Sequence, residues 1–206
     1  MGRRVRKALT LIHDFDTKLA ESDNDRVRAL VHKALHERFG NDYLAIHKAA
    51  LDNDRHGADY FAEFRHGLSR LIEVKVRVQD WLPRGQDADL ALETWADLDK
   101  HTVGWTRDMA KLSDYVVFLW LESGRSLLLD ARLLRAWFSE TWQTLRGKYG
   151  ARIIPSKRRG REWRSEALYI PHADVVAQLA RRQGYVQKPL GSRQSGSERH
   201  HWPRAT

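Results

Sequence analysis

Cysteine is absent from the 206-residue chain. Its absence excludes a disulfide framework, a thiolate zinc site and a cysteine nucleophile. Long apolar runs are absent as well: residues 8–12 are too few for the core of a signal peptide, and no stretch is long enough to span a membrane. We therefore expect an intracellular, cytoplasmic protein that has no membrane partner.

Two further absences narrow the chemistry. No Gly-rich phosphate-binding loop occurs, which argues against ATP-driven activity, and the ten histidines show no zinc-ligand spacing. What is present is positive charge, with a net charge of +9. Residues 101–206 hold 19 Lys and Arg against 9 Asp and Glu, a net +10, whereas residues 1–100 hold 17 against 18, a net −1. A basic half predicts a polyanionic partner, with nucleic acid as the first candidate and a merely soluble basic protein as the alternative.

Hydrophobic spacing divides the chain into helices and strands. Helices are predicted over 24–39, from 130 to about 146, and over 173–182, with Asn24 or Asp25 and then Asp130 as caps and with Gly40, Gly147 and Gly184 as stops. Strands are predicted over 59–64, 70–78 and 88–95 as a three-stranded meander, then over 114–121 and 126–129. A hairpin of 152–155 and 166–170 encloses a basic loop, 156–161. The pattern over 43–51 is ambiguous and is compatible with a second short helix.

This order of elements predicts an α/β (α+β) domain that has a mixed central β-sheet flanked by helices. We expect the domain to span residues 23–185. Residues 1–22 form a basic N-terminal segment, and residues 186–206, rich in Gly, Ser, Arg, Gln and His, form a tail that we expect to be disordered.

The most informative stretch runs from Leu71 to Val78. Because strand side chains alternate between faces, its isoleucine and valines form one apolar face, and Glu73, Lys75 and Arg77 share the other. Burial of the apolar face fixes the register.

Pairing this strand with 59–64 places a second carboxylate beside the first. A three-residue loop of Arg65–Gly67 sets Asp59 opposite Glu73, and a loop of His66–Leu68 sets it opposite Lys75. Either register brings Asp59 to the charged face, where opposed Cβ atoms lie roughly 4.5–5.5 Å apart. Two carboxylates at this spacing repel each other unless a cation lies between them.

Phosphodiester hydrolysis uses such a grouping. A divalent metal polarises the phosphate and activates water, and Mg²⁺ prefers one or two carboxylates together with waters and substrate phosphate. Asp59 and Glu73 fit the metal-ligand role. Lys75 can contact the scissile phosphate, orient the attacking water or stabilise charge in the transition state.

The arrangement resembles the PD-(D/E)XK nuclease superfamily, in which a helix precedes a meander, an Asp begins the second strand and Glu-x-Lys lies in the third. The segments Leu92-Glu-Thr-Trp95, Gly104-Trp105 and Lys111-Leu-Ser-Asp-Tyr115 are similar to a pattern of phage and bacterial members. The resemblance covers about residues 24–170. It implies a restriction-endonuclease-like core, Mg²⁺ or Mn²⁺ as cofactor, and Asp59, Glu73 and Lys75 as catalytic residues.

The chain also departs from that family pattern. Ala58 stands where the proline of the motif is found. Some members use a glutamate of the first helix as an extra ligand, which here would be Glu37, with a solvated helix-end glutamate as the alternative. Glu93 alternates with Leu92 and is expected on the face of Glu73, either as an auxiliary ligand or as an ordinary exposed strand residue.

Phosphate contacts are expected from the basic half of the chain. Trp163 is a candidate for stacking on a base or sugar, with a core position as the alternative. The predicted nucleic-acid-binding residues are Arg77, Arg152, Lys157, Arg158, Arg159, Arg161 and Arg164.

Together these observations predict a divalent-metal-dependent endonuclease that hydrolyses DNA, selects structure more than sequence, and acts in recombination, repair or processing. A homodimer suits cutting of two strands. The alternatives are a non-catalytic nucleic-acid-binding module on the same fold and a structure-specific RNase.

Overall fold

The computed structural model describes residues 13–14, 24–49, 56–77 and 89–183. The predicted tail 186–206, most of the predicted segment 1–22, and Val78 and Gly184 lie outside these ranges. Within them the chain forms ten strands and three helices. The strands are β1 (His13–Asp14), β2 (Tyr43–Lys48), β3 (Tyr60–Phe64), β4 (Ser69–Arg77), β5 (Asp89–Asp97), β6 (Thr102–Val103), β7 (Tyr115–Trp120), β8 (Arg125–Asp130), β9 (Arg152–Arg158) and β10 (Arg161–Pro171). The helices are α1 (Asp25–Phe39), α2 (Ala131–Tyr149) and α3 (His172–Gln183).

The helix boundaries follow from capping chemistry. Asn24 caps α1 by accepting a hydrogen bond from the Val27 N–H at 3.0 Å, and Gly40 ends the helix, as predicted. Asp130 likewise caps α2 through the Leu133 N–H at 2.8 Å. The predicted stop at Gly147 is wrong: α2 continues to Tyr149, and Gly150, at φ 74°, is the residue that ends it.

Two five-stranded sheets form an α/β fold, with the strand orders β2-β3-β4-β7-β8 and β1-β9-β10-β5-β6. In the first sheet β4 pairs antiparallel with β3 and parallel with β7, so the sheet is mixed, as predicted. The second sheet is a feature that the predicted single central sheet did not include.

The predicted meander of three strands is wrong in its membership: it consists of β2, β3 and β4, and not of β3, β4 and β5. Residues 43–48 form a strand, not a helix, and they pair with β3, whereas β5 lies in the second sheet. A register shift between Tyr43 and Ala45 interrupts the alternation of β2. Tyr43 and Ile46 are both buried three residues apart, which imitates helical spacing.

Two hydrophobic clusters fill the interior. One packs α1 against one face of the first sheet, through Val31, Leu35, Ile72 and Val117 among others. The other joins the opposite face of that sheet to the second sheet, α2 and α3, through residues that include Phe118, Leu92, Leu168, Phe138 and Val175. In the described part of the chain, no helix combines the length and the apolarity needed to cross a membrane.

Candidate functional site

The charged face of β4 points toward the second sheet. Ile72 and Val74 are buried under α1. Because side chains alternate, Glu73 and Lys75 project from the other face of the sheet, where the register sets them beside Val116 and Phe118 of β7. The predicted division of β4 into an apolar and a charged face is confirmed, but the charged face is covered and does not form an open surface.

The β3–β4 hairpin brings Asp59 to this face. Tyr60 lies opposite Ile72, and the turn is the three-residue segment Arg65–Gly67, which is the first of the two predicted registers. Regular pairing ends at Tyr60, and the Asp59 N–H donates to the Ile72 carbonyl oxygen at 2.8 Å. The Asp59 Oδ2 atom accepts a hydrogen bond from the Val74 N–H at 2.6 Å. This bond holds the Asp59 carboxylate over β4.

Glu73 is only 3% exposed, and both of its carboxylate oxygens are in ion pairs. The Lys75 Nζ atom lies 2.7 Å from its Oε1, and the Arg135 Nη2 atom lies 2.8 Å from its Oε2. The Ser113 hydroxyl donates to the same Oε2 at 3.1 Å. A buried carboxylate needs such partners, since an unpaired charge in the interior costs several kcal/mol.

Arg135 connects the site to α2 and is 1% exposed. Besides Glu73 it donates to the Ser113 hydroxyl and to three backbone carbonyls, those of Trp105 at 3.4 Å, Lys111 at 3.3 Å and Ser113 at 3.2 Å. One guanidinium therefore fixes the carboxylate of β4 and the loop between β6 and β7 at the same time.

Lys75 bridges the buried carboxylate and open space, since 33% of its side chain is exposed. Its amine lies 4.5 Å from the centroid of the Trp105 ring. Burial by itself lowers the pKa of Lys75, but the carboxylates of Glu73, Asp59 and Glu93 outweigh it and raise that pKa above its usual range. The neighbouring carboxylates therefore favour the protonated form of Lys75.

Glu93 approaches the same amine from the second sheet. Its Oε2 accepts the Trp105 N–H at 3.2 Å, and its own N–H donates to the Thr106 hydroxyl at 3.0 Å. Burial, and to a smaller degree the charge of Glu73, raises the pKa of Glu93, whereas Lys75 opposes the rise. Leu92 is buried in the core while Glu93 faces Lys75, in agreement with the predicted alternation.

Two glycines allow the loops to approach these side chains. A Cβ on Gly104 would lie 2.4 Å from the Glu93 carbonyl oxygen, so only glycine fits before Trp105. Gly57 has a φ of 83°, and a Cβ there would lie 2.8 Å from Lys111 Cδ and 3.6 Å from Glu73 Oε2. The Gly-Trp pair of the sequence motif is thus the segment that seats Glu93.

Other predicted residues lie elsewhere. Glu37 is exposed on α1, which packs on the opposite face of the first sheet, and it pairs with Lys33 at 3.8 Å. Arg77 lies further along the charged face, with its guanidinium 5.0 Å from the Tyr169 ring, and the Arg152 guanidinium lies 4.3 Å from the same ring. The structure brings Asp59, Glu73, Lys75 and Glu93 together, but not Glu37.

The predicted basic loop 156–161 is wrong, because the hairpin closes more tightly. β9 and β10 pair up to Arg158 and Arg161, and only Arg159 and Gly160 form the turn, with φ values of 48° and 78°. Two successive residues of positive φ suit a two-residue hairpin turn. The predicted basic residues therefore lie mostly on strands, where the pleat decides which side each one faces.

The fit to a metal ion rests on the carboxylates of Asp59 and Glu73, which both act on the charge of the Lys75 amine. Asp59 and Glu73 match the one or two carboxylates that Mg²⁺ or Mn²⁺ uses together with water. Lys75, Arg135 and Ser113 occupy three of the about four acceptor positions of the Glu73 carboxylate, which leaves about one for a metal ion. In the ranges that the structure describes, no three or more His, Cys, Asp or Glu side chains are grouped so that they could hold a metal ion. Glu93 and Glu37 are thus not added to the pair as a larger ligand set.

Arg135 and Ser113 are site residues that the sequence interpretation missed. A signal for Arg135 exists, since Ala131 and Phe138, four residues before it and three after it, are both buried and share its helical face. An arginine in the middle of an apolar helical face needs a buried anion. Ser113 carries no comparable signal.

Comparisons of the chain with protein-family models, with curated proteins and with solved structures found no match.

Proposed function

We propose that the protein is a divalent-metal-dependent nuclease that hydrolyses phosphodiester bonds in DNA at Asp59, Glu73 and Lys75. The observation that carries the proposal is that the Lys75 amine lies 2.7 Å from Glu73 on β4, with the Asp59 carboxylate bonded to the Val74 N–H between them in sequence and close enough to act on the charge of Lys75. The resemblance to PD-(D/E)XK nucleases supports the same assignment, since β2, β3 and β4 follow α1 as a meander with Asp59 before its second strand.

The residues divide the chemistry among them. Asp59 and Glu73 would hold Mg²⁺ or Mn²⁺, which supplies phosphate polarisation and an activated water when bound. Lys75, kept protonated by the neighbouring carboxylates, acts as a fixed cation for the phosphate oxygens and not as a base. Arg135 holds Glu73 in place. An intracellular DNA substrate and a homodimer that cuts both strands are parts of this proposal.

The test is cleavage of labelled duplex, single strand, flap, four-way junction and RNA with Mg²⁺ or Mn²⁺. Glu73→Gln keeps the volume of the side chain and part of its hydrogen bonding but leaves Arg135 without its buried anion, so we expect a loss of stability that thermal unfolding measures. In the folded protein the rate should fall by roughly 10³-fold or more. The matched control is Glu63→Gln, an exposed position on the same hairpin that pairs with His47. Equal cleavage by wild type and Glu73→Gln would overturn the site assignment.

A second candidate function is a nucleic-acid-binding module without catalysis. The observation in its favour is that Lys75 and Arg135 already neutralise Glu73, so the carboxylate needs no metal to stay buried. This alternative predicts equal binding with and without Mg²⁺ and cleavage of no substrate in the panel. The RNA arm of the panel decides between a DNase and an RNase.

A further inference from the structure

The β9–β10 hairpin has two faces of different character. Following the pairing register with side-chain alternation, one face carries Arg158 opposite Arg161 at the tip, then Ser156 opposite Trp163. We call this the cleft face. The other face carries Glu166, Leu168 and Ile170, which are buried inside the protein.

The cleft face continues from the hairpin into the candidate catalytic site. Through the pairing of β10 with β5, Ala167 lies opposite Glu93, and Tyr169 lies opposite Ala91. Glu93 is the residue that approaches Lys75. From Ala167 to Trp163 the strand rises by roughly 13 Å, and because Ser165 and Ala167 are buried, the open part of this face is its outer end at Trp163.

A basic groove of about 620 Å³ lies at the far end of this face. Among the described residues that line it, cations outnumber acids, and the acid is Asp97, which lies 3.4 Å from Arg161 and 3.7 Å from Lys100. The groove is lined by Ala96, Asp97, Lys100, Thr102, Arg158, Arg159, Arg161 and Trp163.

The opposite face of the hairpin tip is balanced in charge. Lys157 lies opposite Glu162 in the pairing register, and Arg164 is hydrogen-bonded to Asp99. Among the described residues, Arg158, Arg161 and Trp163 are therefore on the cleft face, and the cations of the opposite face lie beside acids. Among the basic residues predicted to bind nucleic acid, the pleat separates Arg158 and Arg161 from Lys157 and Arg164.

We propose that this groove binds a single-stranded segment of nucleic acid, with a base stacked on Trp163 and its phosphates against Arg158, Arg159 and Arg161. Base stacking on a tryptophan requires an unpaired base, whereas a duplex presents only its phosphates to such a groove. The inference rests on the proposed nuclease function for its substrate, and it narrows that substrate to nucleic acid with a single-stranded part, such as a flap or an overhang.

Binding without metal tests this inference apart from catalysis. We would measure fluorescence anisotropy of a short labelled oligo(dT) and of a blunt duplex of equal length in EDTA, which prevents metal-dependent cleavage. Trp163→Ala is expected to weaken oligo(dT) binding roughly 5- to 150-fold and to change duplex binding little, because stacking is lost. Trp163→Phe keeps an aromatic ring and should recover most of the affinity.

Charge removal tests the face. Arg158→Gln combined with Arg161→Gln should flatten the dependence of log K on log salt by roughly 1.4, since each phosphate contact to a single strand contributes about 0.7. Lys157→Gln combined with Arg164→Gln removes the same charge from the opposite face and should change the slope far less. Lys33→Gln on α1 controls for charge removal in general.

Three results would overturn the inference: unchanged oligo(dT) affinity in Trp163→Ala, equal salt slopes for the two arginine-containing pairs, or tighter binding of the duplex than of oligo(dT). Thermal unfolding of each variant separates loss of binding from loss of fold. If cleavage is absent but the binding results hold, the proposed nuclease function fails and the groove assignment stands. If cleavage depends on Glu73 but these variants bind normally, the groove assignment fails and the proposed nuclease function stands.

Discussion

The candidate catalytic site and the tip of the β9–β10 hairpin both carry many charged side chains, but those of the site are buried in ion pairs and those of the tip are exposed to solvent. At the site each oxygen of Glu73 already has a cationic partner, and Arg135 is buried among carbonyl groups. At the tip, Arg158, Arg159 and Arg161 are exposed, and among the described residues that line the groove they outnumber the acid, Asp97. Paired, buried charges fix a geometry, whereas exposed charges of one sign attract a polyanion. In the proposed function, the buried charges of the site therefore position catalytic side chains, and the exposed charges of the tip attract nucleic acid.

The largest effect is expected from breaking the buried pair. Arg135→Met should lower the free energy of unfolding by about 3–5 kcal/mol, because it leaves Glu73 with a buried oxygen that has lost its cation. Arg132→Met, one turn earlier in α2, removes a pair with Asp114 in which the arginine is 73% exposed, and should cost at most about 1 kcal/mol. Urea unfolding measures both. Equal losses would mean that Arg135 does not hold the site.

The next effect comes from two glycines, one in each region. Gly104→Ala should destabilise by roughly 2–3 kcal/mol or more, since the added Cβ would meet the backbone of Glu93 at 2.4 Å. Gly160→Ala, at the hairpin tip, meets nothing within 4 Å and should cost only about 1–2 kcal/mol, for its φ of 78°.

The glycine comparison is measured by thermal unfolding. If Gly104→Ala lowers the unfolding temperature only slightly, the loop before Trp105 can shift to make room for the Cβ, and close contact with the Glu93 backbone is not needed for the fold.

A smaller effect concerns pH, and its sign differs between the two regions. Burial raises the pKa of Glu93, so the folded state binds its proton more tightly than the unfolded state does. Stability then falls as the pH rises from the ordinary glutamate range through the raised pKa. Asp99, near the tip, has its pKa lowered by a hydrogen bond from Arg164, so its contribution is present above the ordinary aspartate range and is lost as the pH falls.

The pH comparison uses two amide variants. Glu93→Gln should stabilise the metal-free protein at neutral pH, with the gain vanishing below the ordinary glutamate pKa. Asp99→Asn should cost a little at neutral pH and nothing in acid. Urea unfolding across the pH range measures both, and parallel stability curves for Glu93→Gln and wild type would refute the buried-acid account.

The elements that strict alternation or capping determines could be predicted from the sequence. The two faces of β4 and the caps Asn24 and Asp130 follow from local rules, and the β3–β4 register is one of the two that the sequence allowed. The nuclease assignment itself stays a prediction.

Local rules failed where distant contacts decide the outcome. β2 was obscured by the register shift after Tyr43, and β5 joined a second sheet that no periodicity describes. The burial of Glu73 could not be predicted, because it depends on Arg135, which lies 62 residues away. A hydrophobic pattern records that a face is covered but not which partner covers it.

The irregular pairing of β5 limits how far its length can change. The register with β10 passes from Glu93 opposite Ala167 to Trp95 opposite Glu166, which leaves Thr94 as an extra residue. Because of this extra residue, Glu93 and Trp95 point to opposite faces of β5 although they are two residues apart. Glu93 faces Lys75, and the Trp95 ring packs against Trp142 with their centroids 6.2 Å apart. Deletion of the extra residue Thr94 would leave Glu93 and Trp95 on opposite faces, but deletion of Ala91 would turn the core residue Leu90 toward the face of Glu93. A change of length in the Arg159–Gly160 turn would leave both faces of β5 intact. In a lineage of such chains, insertions and deletions would accumulate at the turn and be purged from this strand.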